Sequence, residues 1–238
     1  MKYCHRCLQP DTRPNTIFRE DGLCPACHYY DQLKTVDWEE RYEILQDLIK
    51  DYPRKAGRYH DCIIGVSGGK DSTRQALWVR DKLGLNPLLV CLTYPPEQVT
   101  ERGVDNLSNL INLGFDAHVL APAPETWRKL MASAFQNFTN WCKSTELALF
   151  SAVPRLAIKY DIPLILWGEN SAYEYANEKN IAKNSTLTKD WFKKFGVTDN
   201  FKIDKSIKKN KGYSLLFQNS FLGKKTKVRS IFLGHYYN

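Results

Sequence analysis

The strongest chemical signal in the sequence is a run of small, hydroxyl and charged residues, Ser67-Gly68-Gly69-Lys70-Asp71-Ser72. Its two glycines let the backbone turn tightly and approach a ligand without an intervening Cβ. Ser67 and Ser72 add hydroxyl donors, and Lys70 adds a cation. We expect Asp71 to hold Mg²⁺ or a backbone N–H, because it would repel bare phosphate. The spacing is neither that of a Walker A loop nor G-x-G-x-x-G. The run therefore predicts an anion cradle for a pyrophosphate group, and the alternative is an ordinary Gly-Gly turn.

A second signal is a pair of C-x-x-C steps near the N-terminus, separated by 16 residues. They consist of Cys4, Cys7, Cys24 and Cys27. Each step places two thiolates on one tight turn, so the pairs can fold together into a tetrahedral site. A closed site of this kind is usually structural, and zinc would replace the hydrophobic core that a short module lacks. An iron–sulfur cluster is the competing assignment. His5 and His28 lie beside the pairs and could replace a ligand.

Apolar runs alternate with helical patterns along the chain, and they predict where the Ser67–Ser72 run lies in the fold. Strands are predicted at 62–66, 87–93, 117–120 and 163–167, with one more at 228–233. Helices are predicted at 72–83, 97–113, 125–142 and 145–160. Because the apolar strands are continuous, they indicate an α/β fold with a parallel sheet and helices on both faces. The Ser67–Ser72 run then lies where the first strand meets its helix, whose free N–H groups point at the ligand.

Three regions follow from changes in composition along the chain. Residues 1–35 are predicted to form the Cys4 module, built from loops because they are rich in Pro, Asp and Gly. Residues 36–58 are predicted to be a linking helix, in which Asp37 and Glu40 form a capping box. Residues 59–238 are predicted to form the main domain, with a lysine-rich insertion at 179–229.

Composition and charge limit the class of protein. The chain has 238 residues, of which 43% are hydrophobic, and no apolar run approaches the roughly 20 residues of a membrane span. Without a signal peptide, and with seven cysteines partly in C-x-x-C steps, we expect a cytoplasmic protein. The net charge of +8 is regional, since residues 179–229 hold 14 Lys/Arg and 3 Asp/Glu. This stretch is either a solvated insertion or a basic lid for phosphate-bearing ligands such as nucleotides or RNA.

The run at 67–72, preceded by the apolar strand at 62–66, resembles the PP-loop ATP pyrophosphatases. The resemblance implies an adenine-nucleotide α-hydrolase-like fold, with ATP and Mg²⁺ as cofactors. It also implies that ATP is cleaved between its α and β phosphates and that AMP is placed on a substrate oxygen. Lys70 and Asp71 would be the catalytic residues, and Lys70, Mg²⁺ and the helix N-terminus would carry the charge of the departing pyrophosphate.

A narrower resemblance rests on the N-terminal motifs together with the loop. The motifs are Cys-His-Arg-Cys at 4–7, Pro-Asp-Thr-Arg-Pro at 10–14, Asp-Gly-Leu-Cys-Pro-Ala-Cys at 21–27, Asp-Trp-Glu-Glu-Arg at 37–41 and Trp-Gly-Glu-Asn at 167–170. In this combination the chain resembles the N-acetyl sugar amidotransferases of bacterial lipopolysaccharide and pseudaminic-type sugar biosynthesis. The resemblance implies conversion of an acetamido into an acetamidino group on a sugar or nucleotide-sugar. It further implies separate glutaminase and cyclase-type subunits as the ammonia source. Because family members continue beyond a Gly-x-Tyr-Tyr segment, we expect a truncated C-terminus.

Further candidate residues lie at the ends of the predicted strands. Thr93 closes the second strand and is placed to flank adenine or ribose. Gly168 and Glu169 follow the fourth strand and are placed to contact the nucleotide or its Mg²⁺, the alternative being a plain turn. Asn170 is a candidate for contact with the substrate amide. His235 is a candidate lining residue of a substrate pocket, although an aromatic cluster there would serve equally well as core.

The main alternative function is that of a tRNA-modifying enzyme, in which sulfur replaces oxygen on an adenylated base. Such chemistry usually needs a persulfide-bearing cysteine near the ATP site. Cys142 is the candidate, because Cys62 and Cys91 lie in predicted buried strands. We expect Cys142 instead to be a core cysteine on a helix face. A non-catalytic nucleotide-binding subunit is a third alternative.

Overall fold

The computed structural model describes residues 1–12, 16–170 and 228–237. The lysine-rich stretch predicted at 179–229 lies outside the described residues, except for its last two positions. The chain divides into two compact units. The first contains Met1–Asp51 with the described parts of 167–187 and 231–238. The second contains Tyr52–Leu166 with the described residues of 188–230.

The described strands form one five-stranded sheet in the order β3-β2-β1-β4-β5. They are β1 (Cys62–Gly65), β2 (Pro87–Leu92), β3 (Ala117–Leu120), β4 (Leu164–Trp167) and β5 (Arg229–Phe232). Strand β1 pairs in parallel with both β2 and β4, and β2 pairs in parallel with β3. Residues of β1, β2 and β4 are almost entirely buried, as their continuous apolar sequences predict. The predicted parallel α/β fold is confirmed.

Among the described residues, six α-helices precede, connect or cover these strands. They are α1 (Pro25–Leu33), α2 (Trp38–Lys50), α3 (Lys70–Asp81), α4 (Glu101–Asn112), α5 (Pro124–Phe138) and α6 (Cys142–Lys159). Short 3₁₀ helices occur at Pro96–Gln98 and Leu233–His235. Within the described part of the chain, no helix is both long and apolar enough to span a bilayer.

The crossovers place helices on both sides of the sheet. Helices α3 and α4 connect β1 to β2 and β2 to β3, whereas α5 and α6 carry the chain back past β1 to β4. The strand order runs from β1 to β3 on one side and from β1 to β5 on the other. Because parallel crossovers are right-handed, this change of direction puts α3 and α4 on one face and α6 on the other. Helix α6 packs against β1 and β2 through a long buried face that includes Val153 and Leu156.

The N-terminal module differs from the loop-built structure that the sequence predicts. Its second C-x-x-C step continues into helix α1, which begins at Pro25 and buries Cys27 and Tyr29. Proline at the first helical position has the right φ and needs no N–H partner there, so this residue starts the helix rather than preventing it. The Asp37 half of the predicted capping box is present, since Asp37 Oδ1 accepts hydrogen bonds from the backbone N–H groups of Glu39 and Glu40 at 3.0 Å.

A buried carboxylate, Asp61, pairs with the exposed Arg54 at the edge of the sheet where β1 and β2 begin. Asp61 is 3% exposed and accepts two hydrogen bonds from Arg54, at 2.8 and 3.2 Å, and one from the backbone N–H of Asn86 at 2.9 Å. Burial alone would raise the pKa of this carboxyl, but Arg54 and the Asn86 N–H outweigh burial and lower it. The charged form of Asp61 therefore stabilises the folded chain.

We predict that Asp61→Asn lowers the free energy of unfolding by about 2 kcal/mol at pH 7, because a charge-assisted pair is lost. A lowered pKa in the folded state gives stability that is present above the ordinary aspartate pKa and is lost as the pH falls through the folded value. The difference from the parent chain should therefore shrink below about pH 4. Urea unfolding at several pH values measures this. Asp161→Asn, which affects an exposed pair with Lys55, is the matched control, and equal stability of Asp61→Asn and parent at pH 7 contradicts the prediction.

Candidate functional site

The Ser67–Ser72 run lies at the carboxyl end of β1, the central strand of the sheet. The parallel pairing continues one residue past β1, because the Val66 N–H donates to the Val90 carbonyl at 2.8 Å. Helix α3 then begins at Lys70, two residues before the predicted start. The strand order reverses between β1 and β4. Ligands of open α/β sheets bind at such a reversal, outside the carboxyl ends of the strands.

Gly68 is the residue that the loop geometry requires to be glycine. Its φ is +76°, in the left-handed region that other residues rarely adopt. A Cβ added to Gly68 would lie 2.8 Å from the backbone carbonyl carbon of Asn106 in helix α4. The loop therefore lies so close to α4 that no side chain fits between them.

Three hydroxyl groups shape the loop through local hydrogen bonds. Ser67 Oγ accepts from the Gly69 N–H at 3.3 Å, whereas Ser72 Oγ donates to the Gly69 carbonyl at 3.1 Å. Thr73 Oγ1 donates to the Gly68 carbonyl at 3.3 Å. Of the two serines expected to donate to a ligand, Ser67 thus keeps its hydrogen, and Ser72 uses its hydrogen within the loop. The sequence-based prediction missed Thr73, although a hydroxyl residue directly after the run is visible in the sequence.

The first turn of α3 is free to bind an anion. No side chain among the described residues caps this helix, in contrast to α2, capped by Asp37, and α4, capped by Thr100. Lys70 and Asp71 are exposed, and neither side chain forms a hydrogen bond or ion pair with a described residue. Free backbone N–H groups, a cation and a carboxylate able to hold Mg²⁺ therefore lie together at the positive end of the helix dipole.

Thr93 lies at the same edge of the sheet as this loop. Strand register pairs Gly65 with Val90, so Thr93 follows Val90 by the same three residues that separate Gly68 from Gly65. The Thr93 N–H donates to the Leu120 carbonyl at 2.9 Å, which fixes the backbone beyond β2. Its side chain is half-buried. Thr93 thus follows β2 at the edge where the loop follows β1, and its contact with adenine or ribose stays a prediction.

The remaining predicted site residues belong to the first unit. Gly168 is exposed and Glu169 is half-buried, directly after β4. Asn170 Nδ2 donates to the Gly234 carbonyl at 2.7 Å and to the Tyr29 hydroxyl at 3.1 Å. The Asn170 side chain therefore links helix α1 to the 3₁₀ helix at Leu233–His235.

His235 is enclosed by the same unit. Arg41 Nη1 donates to the His235 carbonyl at 2.8 Å, and the imidazole meets the Tyr236 ring edge-on with centroids 5.1 Å apart. Burial and the nearby Arg41 charge lower the pKa of His235 to about 4. The imidazole is therefore neutral at physiological pH.

The four N-terminal cysteines come together in the first unit. Cys4 Sγ lies 3.8 Å from Cys27 Sγ, and Cys7 Sγ lies 3.5 Å from Cys24 Sγ. All four sulfur atoms are within 4.8 Å of one another. Thiolates around one tetrahedral ion, at about 2.3 Å from it, lie about 3.8 Å apart. The cluster could therefore hold one metal ion.

The surroundings of the cluster favour thiolate at one position in particular. Burial would raise the pKa of the Cys4 thiol, but backbone N–H groups of Cys7, Cys24 and Arg6 outweigh it and lower the pKa to about 6. Burial raises the pKa of the Cys24 and Cys27 thiols. A bound cation would favour the thiolate form of these two as well.

The two neighbouring histidines have other contacts. His28 Nε2 lies 3.2 Å from Asp21 Oδ1, and the His5 ring covers Gly22, whose φ is +74°. Among the described residues, the potential metal site is formed by the cysteines alone.

Cys142 corrects one expectation, because it is exposed and not part of the core. The predicted helix over 125–142 ends earlier, where Thr139 adopts a left-handed φ of +52°, and Cys142 begins the next helix. Helix α6 ends at Lys159 and β4 begins at Leu164, so the C-terminus of α6 lies at the edge of the sheet where the strands begin. Its N-terminus, with Cys142, therefore points toward the edge where the strands end.

No protein-family model matches the chain. An uncharacterized protein of Methanocaldococcus jannaschii is 27% identical over 74 residues, which are 31% of this chain and 26% of that protein. The chain thus matches about a quarter of the length of this curated relative.

Three solved structures resemble parts of the chain. An NH₃-dependent NAD synthetase from Campylobacter jejuni is 15% identical with a TM-score of 0.40, and the match covers 58% of each chain. An NMN synthetase from Francisella tularensis is 17% identical with a TM-score of 0.39, covering 78% of this chain and 79% of that chain. A U34-tRNA thiolase from Methanococcus maripaludis, solved with its 4Fe–4S cluster, is 15% identical with a TM-score of 0.34, covering 78% and 63%. Likenesses of this size carry no conclusion about substrate or activity.

We predict that Gly68→Ala weakens binding of Mg²⁺-pyrophosphate at least tenfold and destabilises the chain by about 2 kcal/mol, because strain at positive φ is added to the clash with Asn106. Isothermal titration calorimetry and thermal unfolding measure the two effects.

Gly57→Ala is the matched control, since Gly57 has a φ of +81° and an added Cβ would meet nothing within 4 Å. The Gly57→Ala variant should have a free energy of unfolding about 1 kcal/mol lower than the parent chain, because alanine is strained at positive φ, and its affinity for Mg²⁺-pyrophosphate should not change. Equal behaviour of the two variants would contradict a role for the contact with α4.

Proposed function

We propose that the chain is an ATP-dependent amidotransferase that adenylates the acetamido oxygen of an N-acetyl sugar and replaces this oxygen with ammonia. The observation that carries the nucleotide part is the exposed Lys70–Asp71 pair at the uncapped N-terminus of α3, outside the central strand of a parallel sheet. The sugar part rests on the sequence resemblance of the Cys4 module, the Asp37–Arg41 segment and the Trp167–Asn170 segment.

The chemistry assigns distinct tasks to the loop residues. The N–H groups of the first turn of α3, with Lys70 and the Ser67 hydroxyl, bind the β and γ phosphates of ATP. Asp71 would hold Mg²⁺, which would supply charge neutralisation at the phosphates. The amide oxygen attacks the α phosphorus, pyrophosphate leaves, and the developing charge on pyrophosphate is met by donors that are already in place.

The second half-reaction exchanges oxygen for nitrogen. Ammonia attacks the adenylated carbon and loses a proton, and AMP leaves with the former amide oxygen. Adenylation is needed because an amide oxygen is a poor leaving group and AMP is a good one. We propose Gly168, Glu169 and Thr93 as further nucleotide contacts, Asn170 and His235 as sugar contacts, and separate glutaminase and cyclase-type subunits as the source of ammonia.

We also propose that the cysteine cluster holds one structural Zn²⁺. Sulfur–sulfur distances of 3.5 and 3.8 Å suit thiolates on a single ion. In an iron–sulfur cluster, cysteines bound to different irons have to lie farther apart than the 4.8 Å within which all four sulfur atoms lie here. With four protein ligands the site has no open position, as expected of a structural rather than a catalytic ion.

We predict about one zinc per chain by elemental analysis, and loss of thermal stability of the first unit on chelation, because the metal supplies its core. Cys7→Ser should lose the metal, whereas Cys142→Ser, at an exposed cysteine outside the cluster, should keep it. Iron with a brown colour, or a metal-free chain of unchanged stability, contradicts the assignment.

A second candidate function is thiolation of an adenylated tRNA base, and the exposure of Cys142 favours it. This cysteine lies in the same unit as the loop, at the end of α6 directed toward the carboxyl edge of the sheet. Its thiol, loaded as a persulfide by an external sulfur donor, would attack the adenylated carbon through its outer sulfur and release AMP. A thiol reductant would then cleave the S–S bond and leave the sulfur on the base. The structure thus supplies the accessible cysteine that the sequence-based expectation had placed in the core.

The test is pyrophosphate release from ATP and Mg²⁺, with ammonium chloride as the nitrogen source. UDP- and CMP-linked acetamido sugars are compared with bulk tRNA, and products are identified by mass spectrometry. We expect release that depends on one of the sugars, with a product in which oxygen has been exchanged for NH. Asp71→Asn should lower this rate at least a hundredfold, because the Mg²⁺ ligand is lost.

Asp81→Asn is the matched control, since Asp81 lies on the same helix and pairs with Arg80 at its other end. It should retain the parent rate. Release that depends on tRNA, together with sulfur incorporation into tRNA from a persulfide donor that is lost in Cys142→Ser, would replace the sugar reaction with the thiolation reaction. Release unaffected by Asp71→Asn would contradict both.

A further inference from the structure

The indole N–H of Trp127 is buried without a hydrogen-bond partner among the described residues. Trp127 lies in helix α5 and is 3% exposed. An unsatisfied buried donor costs about 1–3 kcal/mol, and native proteins contain few of them. We therefore expect the Trp127 N–H to donate to an acceptor outside the described residues, either a buried water or a ligand.

The surroundings of Trp127 place it at the carboxyl edge of the sheet. Trp127 belongs to a buried cluster with Leu130, Ala148 and Ala152 of α5 and α6, and Leu92, Tyr94, Leu120 and Met131 pack against this cluster. Leu92 and Leu120 are the last residues of β2 and β3. The Ser67–Ser72 run follows β1, the strand next to β2, at this same edge.

Tyr94 is the half-buried side chain against the indole. The two rings are tilted by 40° with centroids 5.4 Å apart. Tyr94 directly follows Thr93, at the edge where the loop lies. Because the indole nitrogen has almost no accessible surface, a ligand can reach it only if a neighbouring side chain such as Tyr94 turns aside.

The spacing of the strands suits a nucleotide that spans this edge. Neighbouring strands are about 4.8 Å apart, so β2 and β3 end about 5 and 10 Å from β1 across the sheet. A nucleotide with its phosphates on the loop after β1 can therefore place its nucleoside half over the ends of β2 and β3. A purine or ribose carries nitrogen and oxygen acceptors suited to an indole donor.

We propose that Trp127 is a specificity-determining residue that donates a hydrogen bond from its indole N–H to the nucleoside half of bound ATP, with Tyr94 turning aside to admit it. The proposal rests on the proposed use of ATP, and it adds the group that recognises the nucleoside to those that bind the phosphates. Neither residue needs to take part in the bond-breaking steps.

The first test follows the indole N–H resonances of the 15N-labelled chain, which has six tryptophans. Trp127→Phe assigns the Trp127 signal by its disappearance. We expect that signal to move downfield and exchange more slowly with water when α,β-methylene-ATP and Mg²⁺ are added. Pyrophosphate and Mg²⁺ should leave it unmoved, because they occupy the loop alone.

The second test compares affinities for α,β-methylene-ATP. Trp127→Phe keeps the aromatic packing and removes only the donor, so it should weaken binding about five- to tenfold, the effect of one hydrogen bond. Its affinity for pyrophosphate should not change. Trp141→Phe, at an exposed tryptophan outside this cluster, is the matched control and should bind both ligands like the parent chain.

The outcomes separate this proposal from the proposed function. If the parent chain binds α,β-methylene-ATP with an unmoved Trp127 signal and Trp127→Phe binds it equally well, the indole donor has another partner and this proposal is wrong, while ATP use stands. A Trp127 signal that pyrophosphate moves as far as the nucleotide does also overturns it. If the parent chain binds neither ligand, the proposed function fails and this proposal with it.

Discussion

The close contact between Gly68 and the backbone of Asn106 constrains the whole candidate site. It fixes a left-handed turn directly after the central strand, and this turn lets α3 begin at Lys70 with its N–H groups uncapped. Ser72 and Thr73 bind the carbonyl groups of Gly69 and Gly68, so these acceptors are occupied within the loop. The uncapped N–H groups of α3 and the exposed Lys70 remain as donors for phosphate.

The two units obtain their stability by different means. The second has the continuous apolar strands and the buried face of α6, so hydrophobic burial suffices. The first contains a cysteine cluster whose four sulfur atoms lie within 4.8 Å, together with polar ties such as Asn170 to Gly234 and Arg41 to His235. These ties, and a metal ion if the cysteines hold one, would add to the apolar residues that this unit buries, such as Leu45 and Phe232.

Local patterns predicted the strands and the loop, because strands buried on both faces need continuous apolar sequence and Gly-Gly turns have few alternatives. Helix α1 was missed because the Pro, Asp and Gly content of the module outweighed the start signal of Pro25. Cys142 was wrongly placed in the core because the sequence does not reveal the left-handed Thr139 that ends α5 before it. Trp127 gave no local signal, since its unsatisfied N–H depends on contacts with α6 and the ends of β2 and β3.

The most direct measurement of the central claim is ³¹P NMR of the products formed from ATP and Mg²⁺ by the full chain, with substrate pools of acetamido sugars or tRNA present. If the loop binds the β and γ phosphates while a substrate oxygen attacks the α phosphorus, the reaction yields AMP and pyrophosphate in equal amounts. That pair of products is what we expect with either substrate class. ADP and orthophosphate would instead mean that the terminal phosphate is transferred, and would contradict the role assigned to Ser67, Lys70 and Asp71.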